Sequence, residues 1–238
     1  MSRFDDPAVV ANQYATEANL RARQALWADV EGEDGTRVLW RVLQSLAPVG
    51  RVLEVGGGQG ELAERMQREL DAEVAFIDQS RRMVELARAR GVHDAQVGDV
   101  QRLPFPDESF DVAVAAWMLY HVADLERALS ELARVLRPTG KLVAVTNSVR
   151  HLEEFRALIG QPSSTLEGLF NAETGAATLG RHFAAVERHD AEVVAVVRDR
   201  ETLVGYQQSM SSAFGPVPED VPLPFRVHGR NAIFVATK

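Results

Sequence analysis

A short apolar run, RVLEV at 51–55, stops at Gly56, Gly57, Gly58, Gln59 and Gly60, and a helical apolar period then runs from Leu62 to Leu70. Strand, bare backbone, helix is an order in which a ligand can lie against main-chain N–H groups at a helix N-terminus. A tight turn with close helix–sheet packing uses the same residues, so the glycines alone leave both readings open. Asp78 strengthens the first. It ends the next strand-like run, EVAFID at 73–78, 22 residues after Gly56, where a carboxylate can accept hydrogen bonds from a ribose diol. Glu54, inside the first run, sets a second carboxylate just before the glycines.

Two common ligands carry an adenosine ribose, the nicotinamide dinucleotides and S-adenosylmethionine, and the glycine–aspartate pair suits either. A dinucleotide fingerprint counted from the strand end wants glycine at 56, 58 and 61, and residue 61 is Glu. The shifted frame Gly58, Gly60, Ala63 begins two residues beyond the strand end. Glu54 would repel a pyrophosphate, whereas a ligand with a cationic ammonium is favoured by acidic surroundings.

The elements that must position these groups follow an alternating rhythm. Before residue 50 the apolar spacing predicts two helices, split by EGEDG at 31–35. After the first strand, loop and helix come the strand 73–78, a helix capped by Ser80, a short strand near 95–97 and a loop holding Pro104 and Pro106. FDVAVAA at 110–116 reads as a buried strand, Asp124 as the cap of a helix ended by RPTG at 137–140, and KLVAVTN at 141–147 as the fifth strand. This is the signature of a mostly parallel α/β sheet with helices on both faces. The last third departs from it. Helical segments near 151–159 and 172–182 precede a strand-like run at 183–197, a helix around 200–212, the proline-rich loop 214–225 and a last strand at 231–237.

Composition bounds the function classes. The 238 residues are 46% hydrophobic and 25% charged, as in ordinary globular domains, and suffice for one domain with a small elaboration. No cysteine is present, which excludes disulfides, thiolate nucleophiles and Cys-ligated zinc. A net charge of −8 disfavours a phosphate backbone, so no nucleic-acid partner is expected. The longest apolar stretch, Val112 to Tyr120, falls short of the roughly 20 residues of a membrane span. The N-terminus, MSRFDDPAVV, lacks a basic flank and apolar block, so a cytoplasmic protein with no membrane partner is expected. His151, His182, His189 and His228 show no metal-ligand spacing; surface or core roles are expected, with no metal site.

Four segments in order carry a resemblance: VLEVGGGQG at 52–60, FIDQS at 76–80, VGDVQRLPFPDESFDVAVAAW at 97–117 and LRPTGKLVAV at 136–145. The chain resembles the class I S-adenosylmethionine-dependent methyltransferases, specifically their small-molecule branch with a single seven-stranded domain. The resemblance is strong over residues 50–150 and looser on the flanks. It implies S-adenosylmethionine as cofactor. Gly56 and Gly58 would line its methionine part beside Glu54, and Asp78 would hold the ribose. Gln79 and Met83 would flank the adenine, Gly98, Asp99 and Val100 would meet its amino edge, and Ala116 and Trp117 would close the pocket floor. YATEANLRAR at 14–23 resembles helices that cover the cofactor, with Tyr14 closing over it and Arg23 pairing with its carboxylate; a packed surface helix is the alternative. Gln59 departs from the small or hydroxyl residue common in the family.

The implied activity is transfer of a methyl group by in-line displacement, with residues 1–50 as a helical cover, 51–147 as the cofactor core and 148–238 as acceptor-site insertions and last strands. His121 is the best-placed ionisable group, read either as a general base or as a hydrogen-bonded loop histidine. AAWMLYH at 115–121 replaces the Asn/Asp-Pro-Pro-aromatic turn of base N-methyltransferases, which leaves a small organic acceptor. Trp117, Met118, Phe170, Phe214 and Phe225 are candidate walls for it. A nicotinamide-linked oxidoreductase and a non-catalytic S-adenosylmethionine-binding protein are the competing readings. The sequence assigns no oligomeric state.

Overall fold

The computed structural model describes residues 22–161, 163–210 and 215–238. Its strands are β1 (Val30–Gly32), β2 (Arg51–Val55), β3 (Glu73–Asp78), β4 (Asp94–Val97), β5 (Phe110–Ala116), β6 (Leu136–Asn147), β7 (Ala185–Val197) and β8 (Phe225–Thr237). The helices are α1 (Gly35–Leu46), α2 (Glu61–Leu70), α3 (Arg81–Ala89), α4 (Leu125–Val135), α5 (Glu153–Leu158), α6 (Gly175–Leu179) and α7 (Arg200–Gln208). All eight strands form one sheet in the order β1-β7-β8-β6-β5-β2-β3-β4. The run from β6 to β4 is parallel, while β8 lies antiparallel to both β6 and β7.

Each central strand is apolar on both faces, as burial between two helical layers requires. In β5, Ala113 and Ala115 pack on the side of α4, against Leu129 and Leu132. Val112 and Val114 pack on the side of α1, α2 and α3, against Leu39, Met66 and Val84. A third apolar cluster, with Leu152, Phe155, Leu203 and Val227, seats α5 and α7 beside the ends of β7 and β8. Ser80 and Asp124 accept from the N–H groups of Met83 and Arg127 and cap α3 and α4 as their sequence positions predict.

The expected seven-stranded sheet is present and is extended by an eighth strand. β1 adds three residues antiparallel to β7, pairing Val30 with Ala195 and Gly32 with Val193. It falls in the EGEDG segment, too short and polar to read as a strand. β8 also starts six residues before the expected 231, because Phe225 to Arg230 continue the ladder with β7. Among the described residues no helix is long and apolar enough to cross a membrane.

Candidate active site

The strand order reverses between β2 and β5: β2 leads outward to β3 and β4, and β5 outward to β6. Ligands of open α/β sheets collect at the carboxyl ends of the strands beside such a reversal. The glycine loop follows β2 there. Gly56 N–H donates to the Ile77 carbonyl at 2.7 Å, tying the ends of β2 and β3 together. Gly58 N–H donates to Asp78 Oδ2 at 3.1 Å, and Ser80 N–H to Oδ1 at 2.8 Å. Gly56 and Gly58 have φ of 64° and 58°, in the left-handed region that side chains resist. A Cβ on Gly58 would meet nothing within 4 Å, so the loop presents its backbone to open space.

Glu54 lies beneath this loop. A Cβ on Gly57 would fall 2.5 Å from its Cδ, so only glycine lets the loop pass over the carboxyl. Glu54 is 2% exposed. Burial, reinforced by the negative charge of Asp78, pushes its pKa up to about 8 against the opposing backbone hydrogen bond from Ala63. Its Oε2 is buried without a hydrogen-bond partner among the described residues. Burial likewise raises the pKa of Asp78, opposed by the N–H groups of Ser80 and Gly58. Each Asp78 oxygen takes one backbone donor, which leaves lone pairs for two further hydroxyl donors. An open glycine cradle, an aspartate with spare acceptor capacity and an orphaned carboxyl oxygen fit an adenosine ligand with a cationic amino acid end.

The other sequence-predicted residues group around this edge with differing roles. Gly98 N–H donates to the Asp78 carbonyl at 3.1 Å. Gln79 is exposed, Met83 and Val100 are buried, and Ala116 ends β5. The Asp99 carboxylate is engaged by Gln101, through its N–H at 2.9 Å and its side-chain amide at 3.0 Å. Tyr14 and Phe214 lie outside the described residues.

A concavity of about 470 Å³ opens beside the loop after β5. Trp117, Tyr120 and His121 form one wall, while Met118, between them, turns the other way: a Cβ on Gly56 would sit 2.9 Å from its Cβ. Trp117 itself has φ of 54°, unusual for a bulky residue. His121 N–H donates to the Met118 carbonyl at 2.9 Å, and its ring meets the Tyr120 ring edge-on at 4.5 Å. Arg23 borders this pocket and donates to the Ser209 carbonyl at 2.8 Å.

His151 and Arg156 are among the pocket residues that the sequence did not single out. His151, expected at the surface or in the core, borders the pocket; its Nδ1 lies against the backbone of Arg230, 3.0 Å from the N–H and 3.2 Å from the carbonyl oxygen. Burial lowers its pKa to about 4. Arg156, from α5, borders the same space. Both follow the carboxyl end of β6, and that position is the signal that could have found them. Two expected walls stand elsewhere: Phe170 is a core residue packed on Phe234 at 6.1 Å, and Phe225 packs in the cluster under α5 and α7.

Residues 53–144 match the methyltransferase domain family. The chain is 30% identical over 170 residues to the ubiquinone/menaquinone biosynthesis C-methyltransferase UbiE of Vibrio parahaemolyticus, covering 68% of this chain and 63% of the relative. It is 38% identical over 120 residues to the 27-O-demethylrifamycin SV methyltransferase of Amycolatopsis mediterranei, covering 46% of this chain and 44% of the relative. It thus spans less than two thirds of the length of either. A solved SAM-dependent methyltransferase from Thermotoga maritima superposes with a TM-score of 0.61 over 96% of this chain and 99% of its own, at 21% identity. With the glycine loop, Asp78 and the strand order in place, the chain belongs to the class I S-adenosylmethionine-dependent methyltransferases.

Proposed function

We propose that this methyltransferase acts on a small organic acceptor held in the 470 Å³ pocket, with the cofactor bound on the opposite side of the loop Trp117–His121. One observation carries the reading. The same five-residue loop sets Met118 against Gly56 and turns Trp117, Tyr120 and His121 toward the pocket, so the two spaces share a wall.

When bound, S-adenosylmethionine supplies an electrophilic methyl on a sulfonium sulfur. The chain's own residues bind and orient. Gly56 and Gly58 offer bare backbone to the methionine part above Glu54, and Asp78 accepts from the ribose hydroxyls. Gln79, Met83, Gly98, Asp99 and Val100 enclose the adenine, with Asp99 exchanging its Gln101 contacts for the amino group. Ala116 and Trp117 form the floor, Tyr14 the cover, and Arg23 pairs with the cofactor carboxylate or serves the acceptor pocket it borders. Holding the acceptor atom in line with the methyl supplies most of the rate, since aligned reactants reach effective molarities of about 10⁵–10⁸ M. Residues 1–50, 51–147 and 148–238 divide into cover, cofactor core and acceptor insertions. The names of the two relatives, a quinone-pathway and a rifamycin methyltransferase, support a small-molecule acceptor.

Calorimetry of Gly58→Ala tests the cofactor half. The new methyl enters open space, so the fold should lose only about 1 kcal/mol to the left-handed backbone, while affinity for S-adenosylhomocysteine should fall at least tenfold. Unchanged affinity would move the cofactor elsewhere. Methyl-labelled cofactor offered to a panel of small organic acceptors tests the other half; binding with no product on any of them would leave a non-catalytic binder.

A further inference from the structure

We propose that the acceptor carries an oxyanion, a carboxylate or a phosphate, and that Arg156 is the residue that selects it. The inference rests on the pocket being the acceptor site, and goes beyond it by naming the chemical class.

Arg156 is only 8% exposed, yet it forms no ion pair among the described residues. Two of its five N–H donors are engaged by backbone: one terminal nitrogen donates to the His151 carbonyl, the other to the Val149 carbonyl at 2.7 Å. Its Nε is buried without a partner among the described residues. The nearby carboxylates are committed or turned outward. Glu153 pairs with Arg150 at 2.8 Å and Arg230 at 3.0 Å, Glu154 with His228 at 2.6 Å, and Glu167 is exposed. A cation taken out of water without a counter-ion is held at a net cost, which a ligand of opposite charge can recover.

The rest of the pocket has the same sign. The one carboxylate among its described lining residues, Asp34, caps α1 by accepting from Arg37 N–H at 2.9 Å. Arg23 is a second guanidinium on the wall, and the Tyr206 phenol lies within the fields of both Arg23 and Arg156. Tyr206 packs edge-on against Phe155 at 5.3 Å, which fixes its ring in α7. In a chain of net charge −8, the described lining of this pocket gathers two arginines and a phenol against a single engaged acid. Aromatic walls from Trp27, Trp117 and Tyr120 suit the organic body of the acceptor. Guanidinium recognises planar carboxylates and phosphates through paired N–H donors, which an amide or alcohol cannot match.

The test uses the whole protein saturated with S-adenosylhomocysteine and titrated with benzoate, phenyl phosphate and their neutral counterpart benzamide, followed by calorimetry. Benzoate or phenyl phosphate should bind at least tenfold more tightly than benzamide, and which of the two wins tells carboxylate from phosphate. Arg156→Met should erase the preference without changing affinity for S-adenosylhomocysteine. Because Arg156 also clamps two carbonyls, Tyr206→Phe serves as a second variant whose fold is undisturbed; it should weaken the anion about tenfold, as loss of a bond to a charged group does, and leave benzamide unchanged. Equal binding of all three probes to the wild type would overturn the proposal. So would a preference that survives both variants, or a loss of S-adenosylhomocysteine affinity in Arg156→Met with the preference intact, which would give the arginine to the cofactor. Failure of the wild type to bind S-adenosylhomocysteine would instead defeat the cofactor reading, and the anion preference would still be measured in its absence.

Discussion

The indole N–H of Trp117 donates to Oδ1 of Asn147 at 3.1 Å, and the same oxygen accepts from the side-chain amide of Asn231 at 2.6 Å. One side-chain carbonyl thus joins the carboxyl ends of β5 and β6 to the middle of β8. It also explains how Trp117 persists at φ of 54°: with its N–H on the Val145 carbonyl at 2.9 Å, the residue is fixed at both backbone and ring.

Asn147→Ala should therefore leave two donors without their acceptor. A loss of about 1–3 kcal/mol is expected in urea unfolding, together with a larger drop in acceptor turnover than in affinity for S-adenosylhomocysteine. Asn147→Asp, which keeps the acceptor oxygen, should restore most of the turnover. Loss of cofactor affinity alone would show that Asn147 serves the other side of the loop.

Glu54 gives a pH dependence with a definite sign. Its folded pKa, about 8, stands above the ordinary value of 4.5, so between these pH values the folded chain holds a proton that the unfolded chain has released. Stability attributable to Glu54 therefore falls as pH rises from about 4.5 to about 8, by at most about 1.4 kcal/mol per pH unit, and is flat beyond. Glu54→Gln mimics the protonated form. Its urea midpoint should match the wild type near pH 5 and exceed it by a growing margin toward pH 8; parallel profiles would show that Glu54 is already ionised in the fold.

The cofactor edge was legible in the sequence because its signals are local. Glycines after an apolar run, an acid ending the next run and caps at Ser80 and Asp124 depend on neighbours within a few residues, and strand 110–116 has both faces buried and so reads as one apolar block. The pocket beyond the loop Trp117–His121 was less legible. His151, Arg156 and Asn231 come from the β6–α5 connection, α5 and β8, brought together only by the antiparallel return of β7 and β8. Polar residues scattered over 80 positions leave no periodicity. Phe170 shows the converse error: an aromatic in a loop-like segment looked available for a ligand, but Thr146 donates to its carbonyl at 3.1 Å and its ring is in the core. The eighth strand was missed because three residues with one apolar side chain carry no alternation.

Asp78 should matter to the loop and the ligand separately. Asp78→Ala removes the acceptor of Gly58 N–H and Ser80 N–H as well as the group proposed for the ribose. Calorimetric affinity for S-adenosylhomocysteine should drop by one to two orders of magnitude, as the loss of charge-assisted bonds worth about 1.5–3 kcal/mol implies. Asp78→Asn keeps one oxygen for a backbone donor, so it should recover stability more fully than affinity. An unchanged affinity in Asp78→Ala would take the residue out of the cofactor site.

His121 lines the pocket proposed for the acceptor, and its backbone already closes the turn through the Met118 carbonyl at 2.9 Å. The turn therefore does not need the imidazole, whose ring is instead held edge-on by Tyr120 at 4.5 Å. A side chain so placed can orient the acceptor or take its proton. His121→Gln, which keeps a polar group of similar reach but cannot accept a proton at neutral pH, should preserve S-adenosylhomocysteine affinity and the urea midpoint. If the acceptor must lose its proton as the new bond forms, turnover should fall by about 10²–10⁴, and the rise of rate with pH through the imidazole range should disappear. If the acceptor atom is already nucleophilic, the loss should appear in KM and the pH profile should stay as in the wild type. Lost stability or cofactor affinity would return His121 to a packing role, and a variant indistinguishable from the wild type in all five measurements would remove it from the site.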